Sequence, residues 1–190
     1  GLRIPHAERC TTSQDVFDAA GRIGFPLVLK GEGIAHKTEA GAVRLNITSA
    51  TDAQTAAEAM SVPSFFVEEM VTGTVAELLI GVVRDPAHGY VLTMAAGGTF
   101  TEILKDSVSL LIPASPACVE HALDSLKIAQ VLKGYRGAPP VDMPAILRAI
   151  QAVQDYVVAN AKRVQEVEIN PLICTQTDAI AADALLRCAL

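Results

Sequence analysis

Apolar and polar positions change their spacing repeatedly along the chain, and each change marks an element. Thr12, with Asp15 three residues on, opens a capping-box-like helix that runs to about Ile23 and is closed by Gly24. Phe25 to Lys30 is a short apolar run of strand type, and Ala42 to Ile47 alternates as a strand. Ser49-Ala-Thr-Asp52 predicts a cap and a helix through about Met60. Ser64 to Val71 and Ala76 to Val83 are β-rich runs, and Thr72-Gly73-Thr74 predicts a hairpin joining them. Tyr90 to Ala95 predicts a third strand, ending in Gly97-Gly98. Ser115-Pro116 opens another helix with proline at its first position, where the missing N–H costs least. Asp142 caps the longest helix, about Met143 to Ala161, along which Ile146, Leu147, Ile150, Val153, Val157 and Val158 recur at helical spacing. Val164 to Ile169 and Ala179 to Asp183 are the closing strands, with Pro171 expected to stop the ladder between them. Mixed strands and helices, with consecutive hairpins in the middle, predict an α+β fold rather than a doubly wound parallel sheet.

The 190 residues leave room for one sizeable core, or for two small lobes sharing one. The chain is 51% hydrophobic, yet its longest stretch without Asp, Glu, Lys or Arg, Pro86 to Thr101, is broken by Pro, Gly and His, so no membrane span is expected. No basic segment followed by an apolar one opens the chain, which predicts no secretory signal. The four cysteines (Cys10, Cys118, Cys174, Cys188) form no CxxC pair and no metal-finger spacing, so reduced thiols in a cytoplasmic protein are expected. A net charge of −6 argues against a nucleic-acid surface, and three Tyr, five Phe and no Trp leave little for base stacking. The opening Gly1-Leu2-Arg3-Ile4-Pro5, without an initiating Met, reads as part of a longer protein.

Several residues could carry chemistry. In Glu168-Ile169-Asn170-Pro171-Leu172 a carboxylate and a carboxamide stand two apart, and so share one face of a strand. The run ending at Asp183 brings back another carboxylate. Such oxygen ligands suit a Mg²⁺ that also holds phosphates, although solvated acids at the ends of an ordinary hairpin would give the same spacing. Lys30 ends an apolar strand and must either reach solvent or meet an anion. It leads into a glycine-rich loop, Gly31 to Gly41, whose backbone N–H groups and Lys37 suit phosphate oxygens. His36 in that loop is either an unengaged loop histidine or a phosphoryl acceptor. Glu68-Glu69-Met70-Val71, with Glu77 beyond, offers backbone groups for an adenine edge and a carboxylate for ribose hydroxyls, or is a solvated strand end. Gly97-Gly98 with Glu102 and Asp106 borders phosphates or makes a tight turn. Arg136, in Gly134-Tyr-Arg-Gly137, meets an anion or a surface partner.

Taken in order, these segments resemble the ATP-grasp domain of the NDP-forming acyl-CoA synthetases, the superfamily that includes succinyl-CoA synthetase. The resemblance runs through Gly24-Phe-Pro-Leu-Val-Leu-Lys30, His36-Lys37-Thr38-Glu39-Ala40-Gly41, Glu77-Leu-Leu-Ile-Gly81, Arg84-Asp85-Pro86, Gly97-Gly98, Glu102 to Asp106, Gly134-Tyr-Arg-Gly137 and Glu168 to Leu172. It implies a nucleotide clamped between two α+β lobes, about residues 1–70 and 71–190, as a fragment of a longer synthetase. Lys30 and Lys37 would contact phosphates, Glu68, Glu69, Met70 and Val71 would hold adenine, and Glu77 would reach the ribose. Asn170 and Asp183 would hold Mg²⁺. The implied reaction is acid + CoA + ATP to acyl-CoA + ADP + phosphate, as in the ADP-forming acetate–CoA ligases, and it needs CoA-binding and CoA-ligase domains or a separate subunit. Phosphohistidine relays carry the phosphoryl group, with His36 as a candidate. The chain departs from the family pattern at Ala42, Ala95 and His88: the first two stand where the family has glycine, the third where it has phenylalanine. These departures leave open a second reading, a nucleotide-binding regulatory module of a multidomain protein acetyltransferase. A carboxylate–amine ligase of the wider ATP-grasp group fits the fold but not the His-Lys-Thr loop.

Overall fold

The computed structural model describes residues 1–33, 41–98 and 106–189. They form two compact units, Pro5–Val71 and a second made of Gly1–Ile4 with Thr72–Leu190.

In the Pro5–Val71 unit, β1 (Ala7–Cys10), β2 (Leu27–Gly31), β3 (Val43–Ile47) and β4 (Phe65–Glu69) form an antiparallel sheet in the order β1-β4-β2-β3. Helices α1 (Ser13–Ile23) and α2 (Ala50–Ala59) cover one face. Both start where the capping residues predict. The Thr12 hydroxyl accepts from the Asp15 N–H, the Asp15 carboxylate accepts from the Thr12 N–H, both at 3.0 Å, and Ser49 caps α2. Leu27, Leu29, Phe65 and Val67 join Val16, Ala19, Ala20, Ala53 and Ala57 in one buried cluster. Because side chains alternate, Val28, Lys30, Phe66 and Glu68 stand on the opposite face, where Val28 pairs with Glu68 and Lys30 with Phe66.

The second unit is built on β5 (Ala76–Asp85), β6 (Gly89–Ala96), β7 (Ser107–Leu111), β8 (Val164–Cys174), β9 (Ala179–Ala181) and β10 (Ala184–Cys188). The strand order is β10-β8-β5-β6-β7, with β9 also paired to β8. Helices α3 (Pro116–Asp124), α4 (Ala129–Leu132) and α5 (Met143–Ala159) bury one face of this sheet, against Leu78, Ile80, Leu92, Met94, Ile169 and Leu172. The cross-strand partners Gly81–Thr93, Thr93–Ser109 and Gly81–Glu168 place polar side chains on the other face, together with Glu77. Gln154 is the buried polar group of α5. Its Oε1 accepts from the Ala114 N–H at 2.8 Å and its Nε2 donates to the Ala114 carbonyl at 3.3 Å, tying the helix to the segment that enters α3.

Three expectations need correction. The β4–β5 hairpin does not form: β4 pairs with β1 and β2, while β5 pairs with β6 and β8 in the other sheet. Two β-rich runs with a glycine between them specify strands but not partners, and here each strand finds both neighbours elsewhere. Pro171 does not end the ladder. β8 runs through the cis Asn170–Pro171 bond, and Leu79 alone faces the two residues Asn170 and Pro171, because Leu78 pairs with Leu172 and Ile80 with Ile169. The proline thus occupies a bulge, where its missing N–H removes no ladder bond. Val158 is 55% exposed although it sits at a helical repeat, since the buried stripe of α5 turns through Gln154 and Val157 instead. β7 and β10 are edge strands without a fully buried residue, and β10 is exposed along its whole length, so neither has a buried face that its sequence could display. Among the described residues no helix is long and apolar enough to cross a membrane.

Candidate functional site

Lys30 meets an anion, and that anion belongs to the protein. Its Nζ lies 2.7 Å from Glu68 Oε2, with both side chains only 13% exposed, on the sheet face turned away from α1 and α2. A cross-strand diagonal joins them: Val28, the partner of Glu68, lies two residues before Lys30. Glu68 is therefore engaged with Lys30 rather than free for a base. The N–H of Glu69 donates to the His6 carbonyl at 2.9 Å and that of Met70 to the Pro26 carbonyl at 3.1 Å. Within Glu68–Val71, those two backbone donors belong to the sheet. His36 and Lys37 lie outside the described residues, as do Glu39 and Glu102.

In the second unit, Glu77 is half-buried near the start of the central strand, opposite Ile173. The Gly97 N–H donates to the Glu77 carbonyl at 2.7 Å, and Gly98 follows at φ +82° with its backbone against the Glu77 carboxylate. The two glycines thus belong to Glu77, a role their place in the sequence does not suggest. Asp106 is occupied as well: its carboxylate accepts from the Lys127 and Ile128 N–H groups at 2.9 and 3.1 Å, at the entry to α4.

The bulge at Asn170 directs that residue outward, and both Asn170 and Asp183 are exposed. The Asn170 N–H donates to the Asp183 carbonyl at 3.2 Å, and the Ala182 N–H to the Pro171 carbonyl at 3.0 Å, so the two residues are neighbours across the strands. The Asp183 carboxylate also accepts from the Ala184 N–H at 2.9 Å. Glu168 stands two residues before Asn170 and is half-buried. Among the described residues no group of three or more His, Cys, Asp or Glu side chains could hold a metal alone. A carboxylate beside a carboxamide instead fits a hard cation that takes its remaining ligands from phosphate and water.

The departures from the family pattern prove benign in the backbone. Among described non-glycine residues, only Asn46 and Arg136 have positive φ, so neither Ala42 nor Ala95 occupies a conformation that requires glycine. His88 closes the β5–β6 turn: Asp85 Oδ1 accepts from the His88 N–H at 2.8 Å and the Ala87 N–H at 2.9 Å, and His88 Nδ1 lies 2.9 Å away. Those bonds, the His88 N–H foremost, hold the Asp85 carboxyl below the usual range. Arg136 stacks over the Tyr135 ring, 5.2 Å from its centroid.

All four cysteines are free, with Cys10 and Cys174 buried and Cys118 and Cys188 exposed. Burial, and secondarily the Glu77 carboxylate, pushes the Cys174 thiol up to about 12. At pH 8 a disulfide reagent is therefore expected to label Cys118 and Cys188 rapidly, and Cys10 and Cys174 only after denaturation. Mass-spectrometric mapping of the labelled peptides checks this, and rapid native labelling of Cys174 contradicts it.

Two antiparallel sheets, each with helices on one face and candidate ligands on the other, define an α+β fold. The chain belongs to the ATP-grasp domain family, whose model matches residues 1–188. It is 28% identical over 186 residues to the ADP-forming 4-hydroxybutyrate–CoA ligase of Nitrosopumilus maritimus, a match covering 91% of this chain and 26% of that protein. It is 27% identical over 196 residues to the beta subunit of ADP-forming acetate–CoA ligase I of Pyrococcus furiosus, covering 97% of this chain and 84% of the subunit. Among solved structures it resembles the dinucleotide-forming acetyl-coenzyme A synthetase 1 of Ca. Korarchaeum cryptofilum. That protein is in complex with coenzyme A and Mg-AMPPCP, its phosphohistidine segment pointing towards the nucleotide binding site. The TM-score is 0.87 at 28% identity, covering 100% of this chain and 86% of that one. The chain thus spans about a quarter of the Nitrosopumilus ligase but most of the Pyrococcus beta subunit.

Proposed function

We propose that this chain is the ATP-binding part of an ADP-forming acid–CoA ligase, which binds Mg²⁺·ATP and passes the γ-phosphoryl group to a histidine. CoA-binding and CoA-ligase domains or a partner subunit complete the reaction. The observation that carries this reading is the Asn170–Asp183 pair: a bulge aims a carboxamide outward beside a carboxylate, in a family of ATP-binding folds. The nucleotide-bound relative, similar over the whole chain, supports it.

In this reading Asn170 and Asp183 hold Mg²⁺, and Glu77 accepts hydrogen bonds from the ribose hydroxyls. Lys30 and Lys37 neutralise phosphate oxygens. An ammonium has three donors, so holding Glu68 orients Lys30 without exhausting it. The Glu68–Val71 strand end holds adenine through backbone groups other than the Glu69 and Met70 N–H groups, which are engaged in the sheet. When bound, Mg²⁺ neutralises charge on the phosphate oxygens during transfer. The residues supply position and charge: the bond from the bridging oxygen to the γ-phosphorus breaks, ADP leaves with that oxygen, and a new N–P bond forms on the histidine. His36 is the acceptor candidate within this chain. The regulatory-module reading drew on Ala42 and Ala95, and their unstrained backbone takes that support away.

Equilibrium binding tests the proposal. Wild-type protein is expected to bind ATP with Mg²⁺ and to lose affinity about tenfold or more when EDTA removes the metal. Asn170→Ala and Asp183→Ala are expected to lower affinity only while Mg²⁺ is present. γ-Labelled ATP is expected to transfer label to His36 or to a supplied ligase subunit. Failure to bind Mg²⁺·ATP sinks the assignment.

A further inference from the structure

The turn that follows β6 wraps the start of β5 more closely than a loop needs to. A Cβ on Gly97 would stand 2.9 Å from the carbonyl carbons of Glu77 and Leu78 and 3.0 Å from the Leu78 nitrogen, so backbone lies directly on backbone. The Gly97 N–H seals this approach with its 2.7 Å bond to the Glu77 carbonyl. A Cβ on Gly98 would stand 2.8 Å from Glu77 Oε2 and 3.8 Å from its Cδ, so the carboxylate rests where a side chain on residue 98 would otherwise be. Gly98 also has φ +82°, a conformation that favours glycine by itself. One glycine therefore fixes the backbone of residue 77 and the next makes room for its carboxylate.

A glutamate free to rotate loses roughly 1.5–2 kcal/mol of side-chain entropy when ordered. A carboxylate already seated on a turn has met that cost during folding and meets its ligand preorganised. Two vicinal hydroxyls donating to one carboxylate demand such fixed geometry. We propose that Gly97-Gly98 is the positioning element for Glu77, and that discrimination between ribose and a sugar lacking its hydroxyls depends on Gly98. This rests on the reading of Glu77 as the ribose ligand. It assigns the glycines to the sugar rather than to the phosphates.

The test measures Mg²⁺·ATP and Mg²⁺·2′,3′-dideoxy-ATP affinities by calorimetry for the wild type, Gly98→Ala, Glu77→Ala and the double variant. The wild type is expected to prefer ATP by about tenfold or more, the worth of at least one hydrogen bond to a charged group. Gly98→Ala is expected to bring ATP down to the dideoxy level, to leave dideoxy-ATP unchanged, and to add nothing in the Glu77→Ala background. A merely structural effect of strain at φ +82° would weaken both nucleotides equally, and that result overturns the proposal, as does full additivity in the double variant. Should Gly98→Ala fail to fold, Gly98→Asn takes its place, because asparagine tolerates positive φ while its Cβ still meets the Glu77 carboxylate. Loss of ATP preference then supports the proposal and an unchanged preference overturns it. If Glu77→Ala abolishes the preference while Gly98→Ala keeps it, the positioning role alone fails. If the wild type shows no preference although Asn170→Ala weakens both nucleotides, the ribose assignment fails and takes the proposal with it.

Discussion

Lys30→Met is expected to abolish measurable nucleotide binding and to destabilise the Pro5–Val71 unit at the same time. Lys30 and Glu68 are both 13% exposed and 2.7 Å apart, so removing the cation strands a carboxylate in a largely dry setting. Breaking a buried pair from one side costs about 3 kcal/mol or more, whereas replacing both partners with apolar groups is often neutral. The double variant Lys30→Met/Glu68→Leu is therefore expected to regain wild-type stability in urea denaturation while nucleotide affinity stays down by about 100-fold, two charge-assisted contacts' worth. Glu68→Gln, which keeps the size but not the charge, is expected to bind more weakly without losing binding altogether. If the double variant binds ATP normally, Lys30 is a structural residue and its assignment to phosphate falls.

Gly97→Ala is expected to give the largest stability loss of any single methyl addition in the second unit. The added carbon meets three backbone atoms of Glu77 and Leu78 within 3.0 Å, and no rotamer change can relieve a backbone clash. Leu78 is fully buried at the centre of the sheet, so the strand cannot move outward without opening the core. Overpacking of this kind costs about 3 kcal/mol. For a chain of this size that is roughly 6–12 °C in Tm, readable by calorimetry. Gly73→Ala is the control: its Cβ would meet nothing within 4 Å, and the strain of its φ +71° alone is expected to cost about 1 kcal/mol. Equal losses at the two positions would show that backbone conformation, and not the approach of the turn to β5, sets the cost.

Local chemistry was legible wherever a side chain answers to its own neighbours in sequence. Thr12 with Asp15, Ser49, Ser115 before Pro116, and Asp142 each cap the helix that their spacing predicts, because a cap is a bond across three residues. The strand character of Leu27–Gly31, Ala76–Asp85 and Gly89–Ala96 was equally plain, as was the α+β class. The family resemblance added the candidate ligands, since motifs held in order along a chain need no coordinates to be seen.

Pairing was decided elsewhere. Whether β4 would turn back on β5 or join β1 and β2 depends on which strands bury the two faces of each sheet, and the partners that β4 finds lie up to 61 residues away, as between Ala7 and Glu68. The same distance hid the meeting of Lys30 with Glu68 and the seat that Gly98 offers Glu77: each joins residues from separate strands whose register no local pattern encodes. Even the bulge at Asn170 exists only in relation to Leu79 across the ladder. Sequence by itself determined which residues could cap, extend or ligate. Tertiary structure decided which of them touch, because a contact between distant segments is a property of the packed core and of no single stretch of chain.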